Sequence, residues 1–491
     1  MGDGRERFGH CVTADSGNSV GEVTGHSKVV NAVSVRQQRP MRAATVSDDG
    51  AMCFLHGPPF KFNSKSDGVH KGFVFSTAFS PDGSRLVTVG ADKKIWLYDG
   101  KTGEALGGVG QVGEHTGSIF SVGWKGDGKK IVTASADQTV RLWDVEAGKS
   151  IQTWGFGPEG AVSVSDQQVG VVYPHGRSDG LIISLNLDGD LIYLNEGNSS
   201  PAKIVQGHNK SVTALGSGSG GKGATLWTGS FEGRVCHWDV GTGVGTAVDG
   251  QAHTNQVVRF APGSGRTYSA GWDDTLRIVD ESARTFAGEA IQLSAQPKDV
   301  ASSGNRIFVA TLNGIAVYEK DKLLKEQNLG FIPTAIAAYG STLAVGGEGN
   351  SVNIYAVDAA GGLSKANELT KSTSQVSTLA FSRDGSLLAV GNTIGKICVF
   401  KASGSWEVAT DRWSAHTARV TTVAWNEAGT HAVSGALDTN VFVWSLAKPG
   451  SRVKALNAHK DGVNGVCWVG ADKVASSGGD AAVKLWAVKL Q

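Results

Sequence analysis

The feature that most constrains the fold is a pattern of three short apolar runs that recurs along most of the chain. In the segment that begins at His115, HTGSIFSVGWKGDGKKIVTASADQTVRLWD, apolar residues alternate with polar ones, and turns rich in Gly and Asp separate the runs. Alternation with a period of two predicts consecutive antiparallel strands. Similar segments recur roughly every 40 residues, a period typical of arrays of repeated units.

Histidine, aspartate and tryptophan recur at matching positions of the strong repeats. The separation from the histidine to the turn aspartate is 22 residues in four repeats and 21 in a fifth. These pairs are His26 with Asp48, His70 with Asp92, His115 with Asp137, His416 with Asp438, and His459 with Asp480. His208 and His253 bring the histidines at this position to seven of the 12 in the chain. The third run ends with Trp143, Trp238, Trp444 or Trp486 in four repeats.

This template resembles the WD-repeat family, in which each repeat forms a four-stranded blade of a β-propeller. The resemblance implies that each His and turn Asp hydrogen-bond with a Ser or Thr and a Trp, so that buried polar groups satisfy one another. The seven histidines are therefore expected to be structural. A metal site is not expected, because the repeat places each histidine on a different blade.

The number of repeats predicts two propellers in tandem, and the fold class is all-β. Seven strong repeats are joined by four degenerate ones that keep the alternation without the histidine, at roughly 160–195, 291–318, 331–357 and 375–400. A single ring holds about four to eight blades, so eleven must divide between two rings. We expect residues 207–491 to form a seven-bladed propeller. Residues 1–206 are expected to form an incomplete one, of about four blades plus a fragment.

Composition and charge indicate which classes of partner and which cellular compartment to expect. The chain has 46 basic and 45 acidic residues and a formal net charge of +1, which gives no general footprint for nucleic acid or an anionic membrane. Its five cysteines, scattered without CxxC spacing, suit reduced thiols. The start of the chain is charged, and no stretch approaches about 18 uninterrupted apolar residues. The expectation is a cytoplasmic protein that does not bind nucleic acid or a membrane.

Several phrases are more specific than generic blade sequence. GRERFGHCVTADSG, GHSKVVN, VSDDG, GPPFKF and SAQPKDVA together resemble the actin-interacting protein 1 family over essentially the whole chain. The resemblance implies two seven-bladed propellers and a protein that promotes disassembly of actin filaments decorated by ADF/cofilin. It also implies that two to three N-terminal blades of the family are missing here. Thr13 and Ala14 depart from the family phrase, which has an apolar residue and Trp at these positions.

The same resemblance implies a binding surface for actin and cofilin on the first propeller. It matches Glu6, Asp48 and Phe62, and Arg5, Asp49, Phe60 and Lys61 are added as neighbours. Two alternatives stay open at this point: the repeat spacing gives Asp48 a structural role, and the alternation of Phe60 and Phe62 places one of them in the core. Independently, the two prolines of HGPPFKF suit an edge or loop, where an exposed aromatic can anchor an interface.

Two other classes of function compete with this hypothesis. Gly17–Gly21 and Gly176–Gly180 match GxSxG, but neither is followed by the helix that a nucleophile turn requires, so no catalytic site, cofactor or small-molecule substrate is expected. A generic WD-repeat scaffold for another protein complex is the second alternative, because propellers bind many unrelated partners. Only the family-specific phrases favour actin filaments and the actin cytoskeleton over this scaffold.

Overall fold

The computed structural model shows an all-β chain that divides into two compact units, residues 1–205 and 206–491. Within the described part of the chain, every regular element is a β-strand. The structure describes residues 9–12, 19–111, 113–157, 163–177, 179–218, 225–263 and 265–490, without the side chains of 9–12 and 19–23. The predicted site residues Arg5 and Glu6, and the departures at Thr13 and Ala14, lie outside these ranges.

The first unit contains strands β1 to β18. Their bounds are β1 Gly9–Val12, β2 Ser19–Val23, β3 Val30–Arg36, β4 Arg42–Ser47, β5 Met52–His56, β6 Lys61–Ser66, β7 Val74–Phe79, β8 Arg85–Gly90, β9 Ile95–Asp99, β10 Ala105–Val109, β11 Ile119–Trp124, β12 Lys130–Ser135, β13 Thr139–Asp144, β14 Lys149–Gly155, β15 Gln168–Val172, β16 Leu181–Asn186, β17 Leu191–Asn195 and β18 Lys203–Val205.

The second unit contains strands β19 to β46. Their bounds are β19 Val212–Ser217, β20 Thr225–Ser230, β21 Val235–Asp239, β22 Val244–Ala247, β23 Val257–Pro262, β24 Arg266–Gly271, β25 Thr275–Asp280, β26 Thr285–Phe286, β27 Ile291–Gln292, β28 Pro297–Ser303, β29 Arg306–Thr311, β30 Gly314–Glu319, β31 Lys322–Gln327, β32 Pro333–Tyr339, β33 Thr342–Gly347, β34 Val352–Val357, β35 Leu363–Leu369, β36 Val376–Phe381, β37 Leu387–Asn392, β38 Lys396–Lys401, β39 Val408–Ser414, β40 Val420–Trp425, β41 His431–Ala436, β42 Val441–Ser445, β43 Arg452–Ala455, β44 Val463–Trp468, β45 Lys473–Gly478 and β46 Val483–Ala487.

Strands that follow one another in the chain pair antiparallel, so each repeat is a meander. The described part of the first unit has four such four-stranded sheets, β3–β6, β7–β10, β11–β14 and β15–β18, and the pair β1–β2. The described part of the second unit has seven sheets, of which five have four strands, one has five and the last has three. The alternation that predicted these strands places one apolar face of each sheet against the next sheet.

The core lies between successive sheets rather than at one centre. Between the sheets β11–β14 and β15–β18, for example, Val132, Leu142 and Trp154 pack against Ile182 and Ile192. All five side chains are almost completely buried. Burial of this kind is the main stabilising contribution, and it repeats at each junction between neighbouring sheets.

The second unit is closed into a ring by its first strands. Each sheet's first strand contacts that of the next sheet, and β44 contacts β19. At five of these contacts the second residue of one strand hydrogen-bonds to a carbonyl oxygen of the first residue of the next. The bonds are Thr213 to Val257 (2.6 Å), Thr334 to Val376 (2.9 Å), Ser377 to Val420 (2.6 Å), Thr421 to Val463 (2.6 Å) and Asn464 to Val212 (2.9 Å).

The first unit uses the same contacts in a row of four sheets, through β3, β7, β11 and β15. Asn31 donates to the Val74 carbonyl at 2.9 Å, as the ring bonds of the second unit do. Phe75 and Phe120 take the corresponding positions of the next two strands, with ring centroids 5.2 Å apart. On the sheet β15–β18, Val172 and Leu185 leave an apolar face exposed.

A test of the buried network in the second unit is Trp444→Phe. The substitution keeps an aromatic ring but removes the indole N–H that donates to Ser434 at 2.7 Å in the core. We expect the free energy of unfolding to fall by about 2 kcal/mol, because a buried polar group loses its partner. Urea unfolding measures the change. Trp272→Phe, at a partly exposed ring, is the control and is expected to change stability by less than about 0.5 kcal/mol.

Candidate functional site

A repeated hydrogen-bond network ties each repeat's histidine to a buried hydroxyl. In every one of the seven strong repeats, histidine Nε2 lies 2.7–2.9 Å from a Ser or Thr hydroxyl. In four repeats the indole N–H, ten residues further on, donates to the same oxygen. These pairs are Trp143 to Thr133 (2.8 Å), Trp238 to Thr228 (2.7 Å), Trp444 to Ser434 (2.7 Å) and Trp486 to Ser476 (2.8 Å).

Histidine Nδ1 reaches the turn aspartate on its other side. The distances are 2.9 Å for His70 to Asp92, 2.7 Å for His115 to Asp137, 2.9 Å for His253 to Asp273, 3.0 Å for His416 to Asp438 and 2.7 Å for His459 to Asp480. A neutral imidazole that donates through Nδ1 leaves Nε2 free to accept the hydroxyl proton. The chain of bonds therefore holds the loop before each first strand against the turn after the second strand.

The first repeat differs from the spacing rule, because His26 pairs with Asp49 and not with Asp48. Nδ1 of His26 lies 3.2 Å from both carboxylate oxygens of Asp49, and the Ser27 amide donates to the same carboxylate at 2.9 Å. The pairing at 22 residues predicted for Asp48 is wrong, because the carboxylate that points into the loop comes one residue later in this turn. Leu55 stands where other repeats have Trp.

Asp49 is held by more donors than a single histidine. Burial by itself would raise the pKa of Asp49, but the Ser27 and Ala51 amides, Lys65 and His26 together lower it to about 2. Lys65 Nζ lies 3.2 Å from Oδ2 of Asp49 and 3.4 Å from Oδ1 of Asp67. Asp49 is therefore a buried anchor of its turn, and Lys65 is not a free surface cation.

Asp48 points outward beside this anchor and is half-buried. Its Oδ1 accepts a hydrogen bond from Asn31 Nδ2 at 2.7 Å, and its amide donates to the Val29 carbonyl at 3.0 Å. Asn31 also binds the next sheet through Val74. The Asp48 carboxylate is thus held through Oδ1, and among the described residues only Asn31 donates a side-chain hydrogen bond to it.

Phe60 and Phe62 differ in exposure, because Phe60 lies in the turn before β6 and Phe62 lies within β6. Phe60 packs with Ala43 and Leu55. The Phe62 side chain is 49% exposed. Its ring lies against Gly25, where an added Cβ would come within 2.9 Å of Cε2 of Phe62. An exposed aromatic ring backed by a glycine is a suitable interface anchor, because it loses little conformational freedom on binding.

The structure connects Asp49 and Phe62, two of the predicted site residues, through the loop Gly25–His26. We define the candidate surface as Asp48, Phe62 and Lys61, with the loop Gly25–His26 between Asp49 and Phe62. Lys61 is exposed, whereas Asp49 and Phe60 support the surface from within. The sequence did not predict Asn31 and Gly25 as part of the site. Asn31 could have been noticed as a polar residue inside an apolar run, and Gly25 as the glycine directly before the repeat histidine. The predicted Arg5 and Glu6 are not among the described residues.

Two further properties bear on the chemistry of the site. Among the described residues, no group of three or more His, Cys, Asp or Glu side chains is placed to hold a metal ion. The described residues also contain no helix of the length and hydropathy that a membrane span requires.

The meanders, the ring closure and the His–Ser/Thr–Trp network define a β-propeller of the WD-repeat class. A family model for the WD domain, G-beta repeat, matches residues 65–99, 109–144, 407–445 and 450–487.

Whole-chain comparisons identify the family within this class. WD repeat-containing protein 1 of Gallus gallus is 35% identical over 99% of this chain and 80% of its own length. Actin-interacting protein 1 of Drosophila melanogaster is 32% identical over 100% of this chain and 79% of its own length. An uncharacterized WD repeat-containing protein of Schizosaccharomyces pombe is 41% identical over 99% and 80%. The chain belongs to the family of WD repeat-containing protein 1 and actin-interacting protein 1.

Neighbouring aspartates give a matched test of the corrected assignment. Asp49→Ala leaves buried donors without their acceptor, so we expect the free energy of unfolding to fall by about 3 kcal/mol. Asp48→Ala removes a bond near the surface and is expected to cost less than about 1 kcal/mol. Urea unfolding followed by tryptophan fluorescence compares the two variants. Equal losses, or a larger loss for Asp48→Ala, would contradict the assignment.

The networks also predict an acid-sensitive fold. The pKa values of Asp49 and Asp480 are lowered to about 2, so their contribution is present above the unfolded value near 4 and is lost as the pH falls towards 2. Burial lowers the pKa of His208 to about 3 and also lowers the pKa of His416. Below about pH 6.5 these histidines therefore bind protons in the unfolded chain but not in the folded one, which lowers the free energy of unfolding. Urea unfolding should show constant stability from pH 8 to 7, a decline below about 6.5 and a steeper one below about 4. A free energy of unfolding that increases as the pH is lowered from 6.5 to 4 would contradict this account.

Proposed function

We propose that the protein is an actin-regulatory factor that binds ADF/cofilin-decorated actin filaments through the candidate surface and promotes their disassembly. The observation that supports the proposal is the connection from Asp49, next to Asp48 in the turn, through His26 and Gly25 to the exposed ring of Phe62. The membership of the chain in a family that includes a protein named actin-interacting protein 1 supports actin as the partner.

The geometry of the candidate surface suits protein recognition. The half-exposed ring of Phe62 provides an apolar anchor, the adjacent Lys61 is exposed, and Asp48 supplies a negative charge in the turn before β5. Aromatic anchors supply much of the binding energy of an interface, and charges around them mainly determine specificity. Asp48 is fixed by its hydrogen bond to Asn31, and Phe62 is fixed by packing against Gly25. Binding therefore has to order few groups.

Disassembly through this surface requires no chemical step. A protein that binds a distorted or severed filament state more tightly than the intact filament shifts the equilibrium towards that state. We therefore propose a binding mechanism without catalysis or a cofactor, acting in the cytoplasm at the actin cytoskeleton. In this proposal neither nucleic acid nor a membrane is a partner.

Co-sedimentation with actin filaments, with and without cofilin, tests the proposed partner. The wild-type chain is expected to pellet with decorated filaments and to increase the actin left in the supernatant. Asp48→Ala and Phe62→Ala should each weaken this effect by about tenfold, the change expected from losing about 1.4 kcal/mol at an interface.

The control is Leu106→Ala, an exposed apolar residue of the first unit that lies outside the candidate surface. It is expected to behave as the wild type. If the wild-type chain stays in the supernatant under both conditions, the alternative of a WD-repeat scaffold for another complex gains support. Full activity in both surface variants would show that the filament contacts a different surface.

A further inference from the structure

The ion pair between Lys65 and Asp49 links two parts of the candidate surface that are distant in the chain. Asp49 belongs to the turn between β4 and β5, which also carries Asp48. Lys65 lies 16 residues further on, in the outer strand β6, which also carries Phe62. Lys65 Nζ lies 3.2 Å from Oδ2 of Asp49, whose side chain is only 5% exposed.

A β-bulge places Phe62 and Lys65 on the same face of β6. The register pairs Phe62 with Leu55 and Lys65 with Cys53, and it shifts between Phe54 and Leu55. Leu55 and Cys53 are two residues apart and therefore face the same side of the sheet. The extra residue in β6 turns Lys65 to the side of Phe62, although the two are three residues apart in the chain.

Two other repeats obtain a cation at this position from a different strand, the one that follows the turn. Lys484 contacts Asp480 at 3.3 Å, and Arg277 contacts Asp273 at 3.8 Å, in each case from four residues after the aspartate. The fourth residue after Asp49 is Cys53, which cannot supply a positive charge. Lys65, paired with Cys53 in the register, takes this role from the neighbouring strand. Because the cation comes from β6, the ion pair couples the turn of the first repeat to its outer strand.

The loop between the two parts completes the connection. His26 contacts Asp49, and the adjacent Gly25 contacts the ring of Phe62. Among the described residues, the ionisable groups around Lys65 besides Asp49 are Asp67, at 3.4 Å, and the buried thiol of Cys53. Lys65 is thus held by carboxylates on both sides, with its side chain 24% exposed.

We infer that Lys65 is a positioning residue of the filament-binding surface, which fixes Phe62 and the Asp48 turn as one rigid unit. This inference rests on the proposed function for its effect on binding, but its structural part stands separately. Lys65 itself does not contact the partner in this account. Replacing Lys65 is expected to weaken binding because β6 and the loop Gly25–His26 become more mobile.

Hydrogen exchange of the full chain tests the structural part without actin. Lys65→Met removes the charge and keeps much of the side-chain volume. We expect amide exchange in β6 and in residues 24–28 to accelerate at least tenfold, while β12 and β13 keep the wild-type rate. Lys65→Arg, which restores the charge, should return exchange to within about threefold of the wild type, given its bulkier head group. Lys101→Met, at an exposed lysine of another turn, is the matched control.

Binding to cofilin-decorated filaments tests the functional part with the same variants. Lys65→Met should lose about as much affinity as Phe62→Ala, and Lys65→Arg should recover most of it. Wild-type exchange rates in Lys65→Met, or affinity that Lys65→Arg fails to recover, would overturn the inference. If the wild-type chain does not bind filaments, the proposed function fails, and the exchange measurement alone decides the structural link.

Discussion

The hydrogen bonds of the repeat histidine are the interaction that fixes the loops of the seven strong repeats, and the candidate site depends on them. Each sheet by itself is an exposed meander, and its loops would have no fixed position. The bonds from histidine to a buried hydroxyl on one side and to a turn aspartate on the other join the loop before the first strand to the turn after the second. Because these groups are buried, leaving one of them unpaired is costly, and the arrangement is therefore specific.

In the first repeat the structural network also supports the surface that we propose to bind the filament. There the tryptophan is replaced by Leu55, and the aspartate at the end of the network is Asp49. Asp48, one residue earlier, is released from the network and faces outward with Asn31 as its neighbour. In the proposed function, the supporting role of Asp49 and the recognition role of Asp48 are thus separated within one turn.

Much of the fold could be predicted from the sequence, because alternation, turns and the repeat period are local signals. The pairs of His70 with Asp92 and of His115 with Asp137 follow from spacing alone. The same rule fails at Asp48, because spacing cannot tell which of two adjacent carboxylates points into the loop. Ring closure of the second unit through Asn464 and Val212 joins residues about 250 positions apart, which no local pattern reveals.

The candidate site was predicted in part. The sequence left open which of Phe60 and Phe62 is in the core; Phe60 packs on Ala43 and Leu55 from the turn before β6, whereas Phe62 is exposed. The ion pair of Lys65 with Asp49 depends on a β-bulge, which the sequence pattern does not show.

A cryo-electron microscopy reconstruction of the chain bound to cofilin-decorated filaments tests the central claim most directly. The account predicts the first unit against the filament, with Asp48 and Phe62 in contact with actin or cofilin and Asp49 still bonded to His26. A reconstruction in which these two side chains face solvent, with the filament held elsewhere on the chain, would contradict it.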